Sequence, residues 1–428
     1  MKQFFAGVLA VVLLAGCSGS GSGSSGTGGT ATGTDGGETV ALTVWGSKDD
    51  QEFLNERIEA FKQKYAGNTF EIEVGVESEA NVKATVLADP EGAADVFLFI
   101  DDQLTDLAEA GALHPLDDDM DAVLKAKANT SVSQIRTQNT SLAVSDATYK
   151  DMLYGFPISA DNGYFLYYDS TVFSEEDVAD WDSLLAKAAQ AGNGRKVGMT
   201  LDNGWYNAGF FYGAGFLSSR NDDGTTNLDW NGTSPSGVKG SDVVLAMSRI
   251  AQDPSFQAVP DGEVSDAVAS GELCAVVSGT WDAKAAQEAF GSGYAASILP
   301  KFKAGDHTLQ QGSAAGCKLV GVNSHCQDSG WAMLLAEFLS NEESQIRHYE
   351  MREICPSNIN AQRNETIEDS IAISAVLEQM QYAVIQKVGN NYWEPSKAFG
   401  EAIVNGEITD EASAQAALDE LVTAVGKQ

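Results

Sequence analysis

The chain has 428 residues, 43% of them hydrophobic, and a formal net charge of −35. That apolar share is ample for packed domains, while the acidic balance repels nucleic acid and argues against a polyanionic partner. Its plain physical consequence is solubility.

Taken from the N-terminus, Lys2 supplies a positive charge and residues 4–14 form an apolar run that Leu14-Ala15-Gly16-Cys17 closes. A basic start, a short apolar stretch and small residues before a cut describe a secretory signal. The run falls short of the ~20 residues that a membrane helix requires. Leu14-Ala15-Gly16-Cys17 resembles the bacterial lipobox, which implies a signal peptide over 1–16 and a lipid on Cys17. The other reading is an ordinary signal peptide with an incidental cysteine. Residues 17–38 are then expected to form a linker rich in Gly, Ser and Thr, a composition that buries no core and behaves as a flexible coil. Gly21, Gly23 and Gly26 match a dinucleotide-binding spacing, but no strand precedes them and no helix follows, so the match is compositional.

The remaining ~390 residues exceed one hydrophobic core and predict two lobes. Residues 39–45 alternate β-formers with polar residues and read as a strand, followed by a helix over 49–65 with apolar positions at Phe53, Leu54, Ile58, Phe61 and Tyr65. A second strand over 70–76 alternates strictly. A short helix over 81–88 precedes 95–100, an apolar run of the kind found in buried parallel strands. A helix over 105–110 stops at Gly111. This β-α-β-α-β order implies an open, mostly parallel sheet with covering helices. The centre repeats the theme with strands at 163–168, 196–200 and 275–277 and helices at 181–191 and 241–251. Helices over 331–339, 371–387, 396–404 and 411–425 complete the chain.

Beyond Cys17 there are Cys274, Cys317, Cys326 and Cys355, an even number that permits two disulfides outside the membrane or leaves buried free thiols. No CxxC and no HxxxH pair occurs, so no metal and no cofactor is expected. Asn221 to Gly224 fails the EF-hand spacing and reads as a solvated loop.

Several stretches resemble, in order, the extracellular solute-binding proteins of carbohydrate ABC importers, such as the maltose/maltodextrin-binding proteins. They are Leu42-Thr-Val-Trp-Gly-Ser47, Ala94-Asp-Val-Phe-Leu-Phe99, Leu107-Ala-Glu-Ala-Gly-Ala-Leu-His-Pro-Leu116, Tyr154-Gly-Phe-Pro-Ile158 and Tyr164-Phe-Leu-Tyr-Tyr-Asp169. Gly271-Glu-Leu273, Ser278-Gly-Thr-Trp281, Leu299-Pro300, Trp393 and the closing helix continue the series. The resemblance implies a periplasmic-binding-protein-like α/β fold, two α/β lobes joined by a hinge around an interlobe ligand cleft. It places the crossings near 155–159, 310–316 and 341–345. The first lobe is then 39–156 plus 312–343 and the second 157–311 plus 344–428.

A sugar presents apolar C–H faces and a fringe of hydroxyls, so its site needs flat aromatics together with carboxylates and amides. In the first lobe Asp49 follows the first strand, where α/β sheets bind ligands, although it equally suits a helix cap or first-turn charge. Phe99 occupies the position of a tryptophan in the relatives and is either site or core. Asp102 and Gln103 stand where those relatives carry an Asp-Arg pair, so the arginine is missing. Asp161 matches a ligand-binding glutamate, with Asn162 and Tyr164 beside it. Asn203-Gly-Trp205-Tyr206-Asn207 matches a stacking pair in a polar loop, and Trp281 matches the principal stacking tryptophan. Trp393, with Tyr392 and Glu394, lies in a loop before a helix. Gln311 and Gly312 are weaker candidates. Trp181 and Trp331 open helices and read as core, and Trp230 is left unassigned.

The resemblance implies a non-enzymatic lipoprotein, a monomer tethered outside the membrane, probing for a sugar and handing it to ABC permease subunits. Its dispersed aromatics favour an oligosaccharide such as a maltodextrin, and the tether is read for a Gram-positive cell, whose single membrane offers no periplasm. The same fold with a polyamine, a metal complex or a peptide as ligand is the alternative, as is a secreted glycosidase built on paired carboxylates.

Overall fold

The computed structural model describes residues 37–191, 194–221 and 223–427. The expected signal peptide, Cys17 and nearly all of the expected linker lie outside the described residues. No described helix is long and apolar enough to cross a membrane.

From Glu38 onward the described residues form one compact unit built on two five-stranded sheets. The first sheet runs in the order Thr69–Val76, Thr39–Gly46, Val96–Ile100, Lys318–Val322, Phe156–Ser159. Its first three strands are parallel, and Lys318–Val322 runs antiparallel to both of its neighbours. Val96–Ile100 is apolar at every position because helices cover both faces of the sheet at its centre. Phe53, Leu54, Phe97, Leu98, Leu319 and Leu334 meet in that core. The helix Leu104–Glu109 stops before Gly111, whose φ of 70° is a conformation glycine adopts without Cβ strain.

The second sheet has the order Phe256–Ala258, Lys196–Met199, Leu273–Ser278, Phe165–Asp169, Tyr294–Ser297. Alternate side chains of Phe165–Asp169 enter different cores. Leu166 and Tyr168 join Trp181, Phe211 and Trp230, while Phe165 and Tyr167 join Val376 on the other face. Trp230, unassigned from sequence, is fully buried and stacks on Phe211 with ring centroids 4.2 Å apart. Trp181 and Trp331 are buried as expected.

The chain leaves the first sheet after Phe156–Ser159 and returns through Ser313–Ala315 into Lys318–Val322. The helix Glu342–Arg352 still packs on the first side. There Arg57 pairs with Glu343 at 2.9 Å, and Phe53 stacks on His348 at 4.2 Å. The last passage therefore follows Arg352, later than 341–345, and Ile371–Gln379 is the next helix to pack on the second sheet. The expected helix over 371–387 ends at Gln379. Ala383–Ile385, with its β-branched pair, instead forms a parallel strand beside Ser313–Ala315. Cys274, Cys317, Cys326 and Cys355 are all free thiols.

Candidate functional site

A cavity of about 710 Å³ lies between the ends of the two sheets and draws its walls from both. Loops after the parallel strands supply most of the lining, the usual place for a ligand in an open α/β sheet. Thr39–Gly46 leads to Ser47 and Asp49, and Val96–Ile100 leads to Asp102 and Gln103. On the other side Lys196–Met199 leads to Asn203, Trp205 and Tyr206, and Leu273–Ser278 leads to Trp281. Asn162 and Trp393 complete the set of expected residues that meet here.

Asp49 is exposed in the wall, and its neighbour Asp50 is the buried anchor beneath it. The Ser47 hydroxyl donates to Asp50 Oδ2 at 3.0 Å, His348 Nε2 lies 2.9 Å from Oδ1, and Arg352 binds the same oxygen. Burial opposes ionisation of Asp50, but His348 and Arg352 outweigh it and hold the carboxyl well below the usual range. Gln103 is buried and serves the wall from behind. It accepts the Lys83 amide at 3.0 Å and donates to the Glu79 carbonyl at 2.7 Å. Asp102 reaches the cavity's solvent. Crowding by protein raises its carboxyl to about 6 against the pull of Lys83.

The aromatic wall is rigid. Trp205 is not in a loop but in the first turn of the helix Gly204–Gly213, its amide capped by Asn203 Oδ1 at 2.7 Å. Tyr164, itself fully buried, donates to the carbonyls of Trp205 and Tyr206 at 3.0 and 3.1 Å. Trp393 likewise opens the helix Trp393–Val404 rather than preceding it. The two helix starts are locked together, with Tyr392 donating to the Gly204 carbonyl at 2.8 Å. Gly204 permits that approach, since a Cβ there would meet Ser396 Oγ at 2.2 Å. Trp281 folds its ring over Gly279, where a Cβ would stand 2.2 Å from the indole. Asp282, raised by burial, accepts from Ser265 and Ser278 and fixes the turn that carries Trp281.

Two expected residues do not reach the cavity. Phe99 is fully buried inside the first sheet, edge-on to Phe97 at 5.8 Å, because both faces of its strand are covered. Asp161 is 2% exposed and accepts hydrogen bonds from Thr280 and from the Cys355 amide. Gln311 is also buried, accepting from Trp181 Nε1 at 2.7 Å. Asn162 is different. It is 7% exposed, lines the cavity, and its Nδ2 has no hydrogen-bond partner among the described residues.

Sequence reasoning missed Glu79, Lys83, Asp261, Lys318, Arg352 and Asn390, which also line the cavity. These charged and amide residues sit on segments distant in sequence and carry no local motif. Each cation already faces a carboxylate: Lys83 with Asp106 at 2.9 Å, Lys318 with Glu79 at 3.7 Å, and Arg352 with Asp50. The site thus offers flat indoles, an unpartnered amide and solvated carboxylates, a chemistry suited to a neutral polyhydroxylated ligand.

A second cavity of about 500 Å³ adjoins the first and shares Asp102 with it. Asp101, Asp146 and Cys317 cluster on that side, with ligand atoms within 4.8 Å of one another.

Residues 56–375 match the family described as bacterial extracellular solute-binding protein. No curated protein matches the sequence significantly. Among solved structures, one described as a complex with acarbose is 27% identical, with a TM-score of 0.78 over 91% of this chain and 99% of that chain. The maltodextrin binding protein MalE1 from L. casei BL23, without ligand, is 22% identical, with a TM-score of 0.74 over 91% of this chain and 100% of its own. The Thermus thermophilus maltotriose binding protein bound with maltotriose is 19% identical, with a TM-score of 0.71 over 90% and 100%.

Proposed function

The chain belongs to the bacterial extracellular solute-binding proteins and has their mixed α/β fold, and from that premise we propose that it captures an oligosaccharide, such as a maltodextrin, for an ABC importer. The observation that carries the reading is the convergence of Trp205, Trp281 and Trp393 with Asn162 and Asp102 on one cavity. Indoles stack on the C–H faces of sugar rings, and the amide and carboxylate take the hydroxyls. The pairing of every wall cation with a carboxylate supports a neutral ligand over an anionic one. Solved relatives carrying acarbose and maltotriose support the same class.

In this reading the two sheets are the cores of two lobes, and the segments that pass between them form a hinge that closes over the sugar. The protein binds and delivers; it does not hydrolyse. Cys17 carries a lipid, and the permease receives the sugar at the membrane. Tethering raises the effective concentration of the captor beside its permease.

A thermal-shift screen against mono- and oligosaccharides tests this, because a ligand held only by the folded state raises the melting point. Linear α-glucans should stabilise the protein. A shift with a polyamine, a metal complex or a peptide but no sugar would replace the ligand class. Release of shorter sugars by the pure protein would replace binding with glycosidase activity.

A further inference from the structure

The two adjoining cavities meet at a row of charged side chains. Asp106 Oδ2 lies 2.9 Å from Lys83 Nζ, and its Oδ1 lies 2.6 Å from Arg220 Nη2. Lys83 Nζ also donates to Asn390 Oδ1. Lys83 and Asp106 ride on the helices Val82–Ala88 and Leu104–Glu109, on the side of the first sheet. Arg220 ends the strand Ser218–Arg220, and Asn390 begins the turn Asn390–Tyr392, both on the side of the second. The row therefore spans the groove. Lys83 and Asn390 face the larger cavity, Arg220 faces the smaller one, and Asp102 lines both.

The smaller cavity is polar and contains unused hydrogen-bonding capacity. Thr105, Ser145, Tyr149 and Asn221 line it, together with Gln386. Gln386 is only 4% exposed, and its Oε1 has no hydrogen-bond partner among the described residues. Its Nε2 is occupied by the Gly204 carbonyl and the Tyr392 hydroxyl, so the amide is held in place with its oxygen free. A buried, fixed and unpartnered acceptor is costly unless something comes to use it.

We propose that the Arg220–Asp106–Lys83–Asn390 bridge ends the ligand cleft and limits the length of the chain it accepts, and that the smaller cavity is a further sugar subsite lying behind the bridge. The inference rests on the oligosaccharide reading above. Sugar units beyond the bridge meet it before they meet Gln386, so a longer ligand must break a partly exposed ion pair to extend. Such pairs are individually weak, which makes the limit soft and measurable.

The test is titration calorimetry of the full chain with linear α-glucans from the disaccharide to the heptasaccharide, for wild type, Arg220→Ala and Arg220→Lys. In wild type, affinity should stop rising beyond a certain length. Arg220→Ala should let it continue, raising the ratio of longest-chain to short-chain affinity about fivefold or more. Arg220→Lys should restore the wild-type limit. Identical length profiles for wild type and Arg220→Ala would overturn the proposal, and so would an equal loss at every length, which would make the bridge a closing contact only. If no glucan of any length binds wild type, the oligosaccharide reading itself falls and the proposal with it. Should Arg220→Ala fail to fold, Arg220→Gln removes the same ion pair with a side chain closer in size, with the same two outcomes.

Discussion

Thr280 donates its hydroxyl to Asp161 Oδ2, joining residues 119 positions apart inside the protein. The same oxygen accepts the Cys355 amide at 2.8 Å. One buried carboxylate thereby ties the segment that leaves the first sheet to the turn carrying Trp281 and to the stretch after Arg352. Asp161→Ala strands both donors, each worth about 1–3 kcal/mol when left unsatisfied. The expected result is a loss of about 3 kcal/mol in urea unfolding, with any effect on binding following from it. Unchanged stability with abolished binding would return Asp161 to the ligand.

That residue shows where sequence reasoning stops. The helix Glu411–Val425 is legible to the residue, because its apolar periodicity and the Asp410 cap are local signals. Trp205 and Trp281, expected at the site through the resemblance, do line the cavity, yet the helix that begins at Gly204 looks like a polar loop in sequence. Its start also depends on the packing of Ser396 against Gly204, which is tertiary information. Phe99 and Asp161 align with ligand-binding positions but point into the core. Alignment transfers a place along the strand, and burial is settled by what covers each face. Lys83, Lys318 and Arg352 gain a role only when distant segments meet.

Trp281 and Trp205 stand partly exposed against the second core, so their loss should cost binding more than stability. Trp281→Ala and Trp205→Ala are each expected to weaken sugar binding about tenfold or more, with melting points shifted by only a few degrees. Gly279→Ala leaves the indole intact but drives a methyl to 2.2 Å from it, so the ring must move. It should weaken binding as well. Calorimetric affinities beside melting curves check all three. Unfolding of one tryptophan variant with normal binding in the other would break this assignment of the site.

Cys274, Cys317 and Cys355 are fully buried, and burial pushes each thiol above its ordinary range. Thiolate, the reactive form, is therefore scarce and shielded. Maleimide labelling followed by peptide mass mapping should leave these three unmodified in the native protein and modify them after urea unfolding. Adding a reductant should not change the melting point. A lower melting point under reduction would reveal a disulfide where the structure has free thiols.

Asp101 and Asp146 bring two carboxyls together beside Cys317. Asp101 accepts the Cys317 amide at 2.9 Å, whereas Asp146 Oδ2 is buried with no hydrogen-bond partner among the described residues. Burial lifts Asp146 to about 7 against the pull of Lys387, and burial together with the Asp146 charge lifts Asp101 well above the ordinary range. In the unfolded chain a carboxyl of this type titrates near about 4. Between those values this carboxyl holds more proton in the folded state than in the unfolded one, so its contribution to stability falls as pH rises from about 4 to about 7 and levels off beyond. Asp146→Asn removes the charge that has to be buried. Relative to wild type, the variant should gain melting temperature steadily across that window, hold the gain at higher pH, and show none at the acid end. Melting curves over the range decide it. A constant offset between the two proteins would mean that Asp146 titrates like an exposed carboxyl and carries no such penalty.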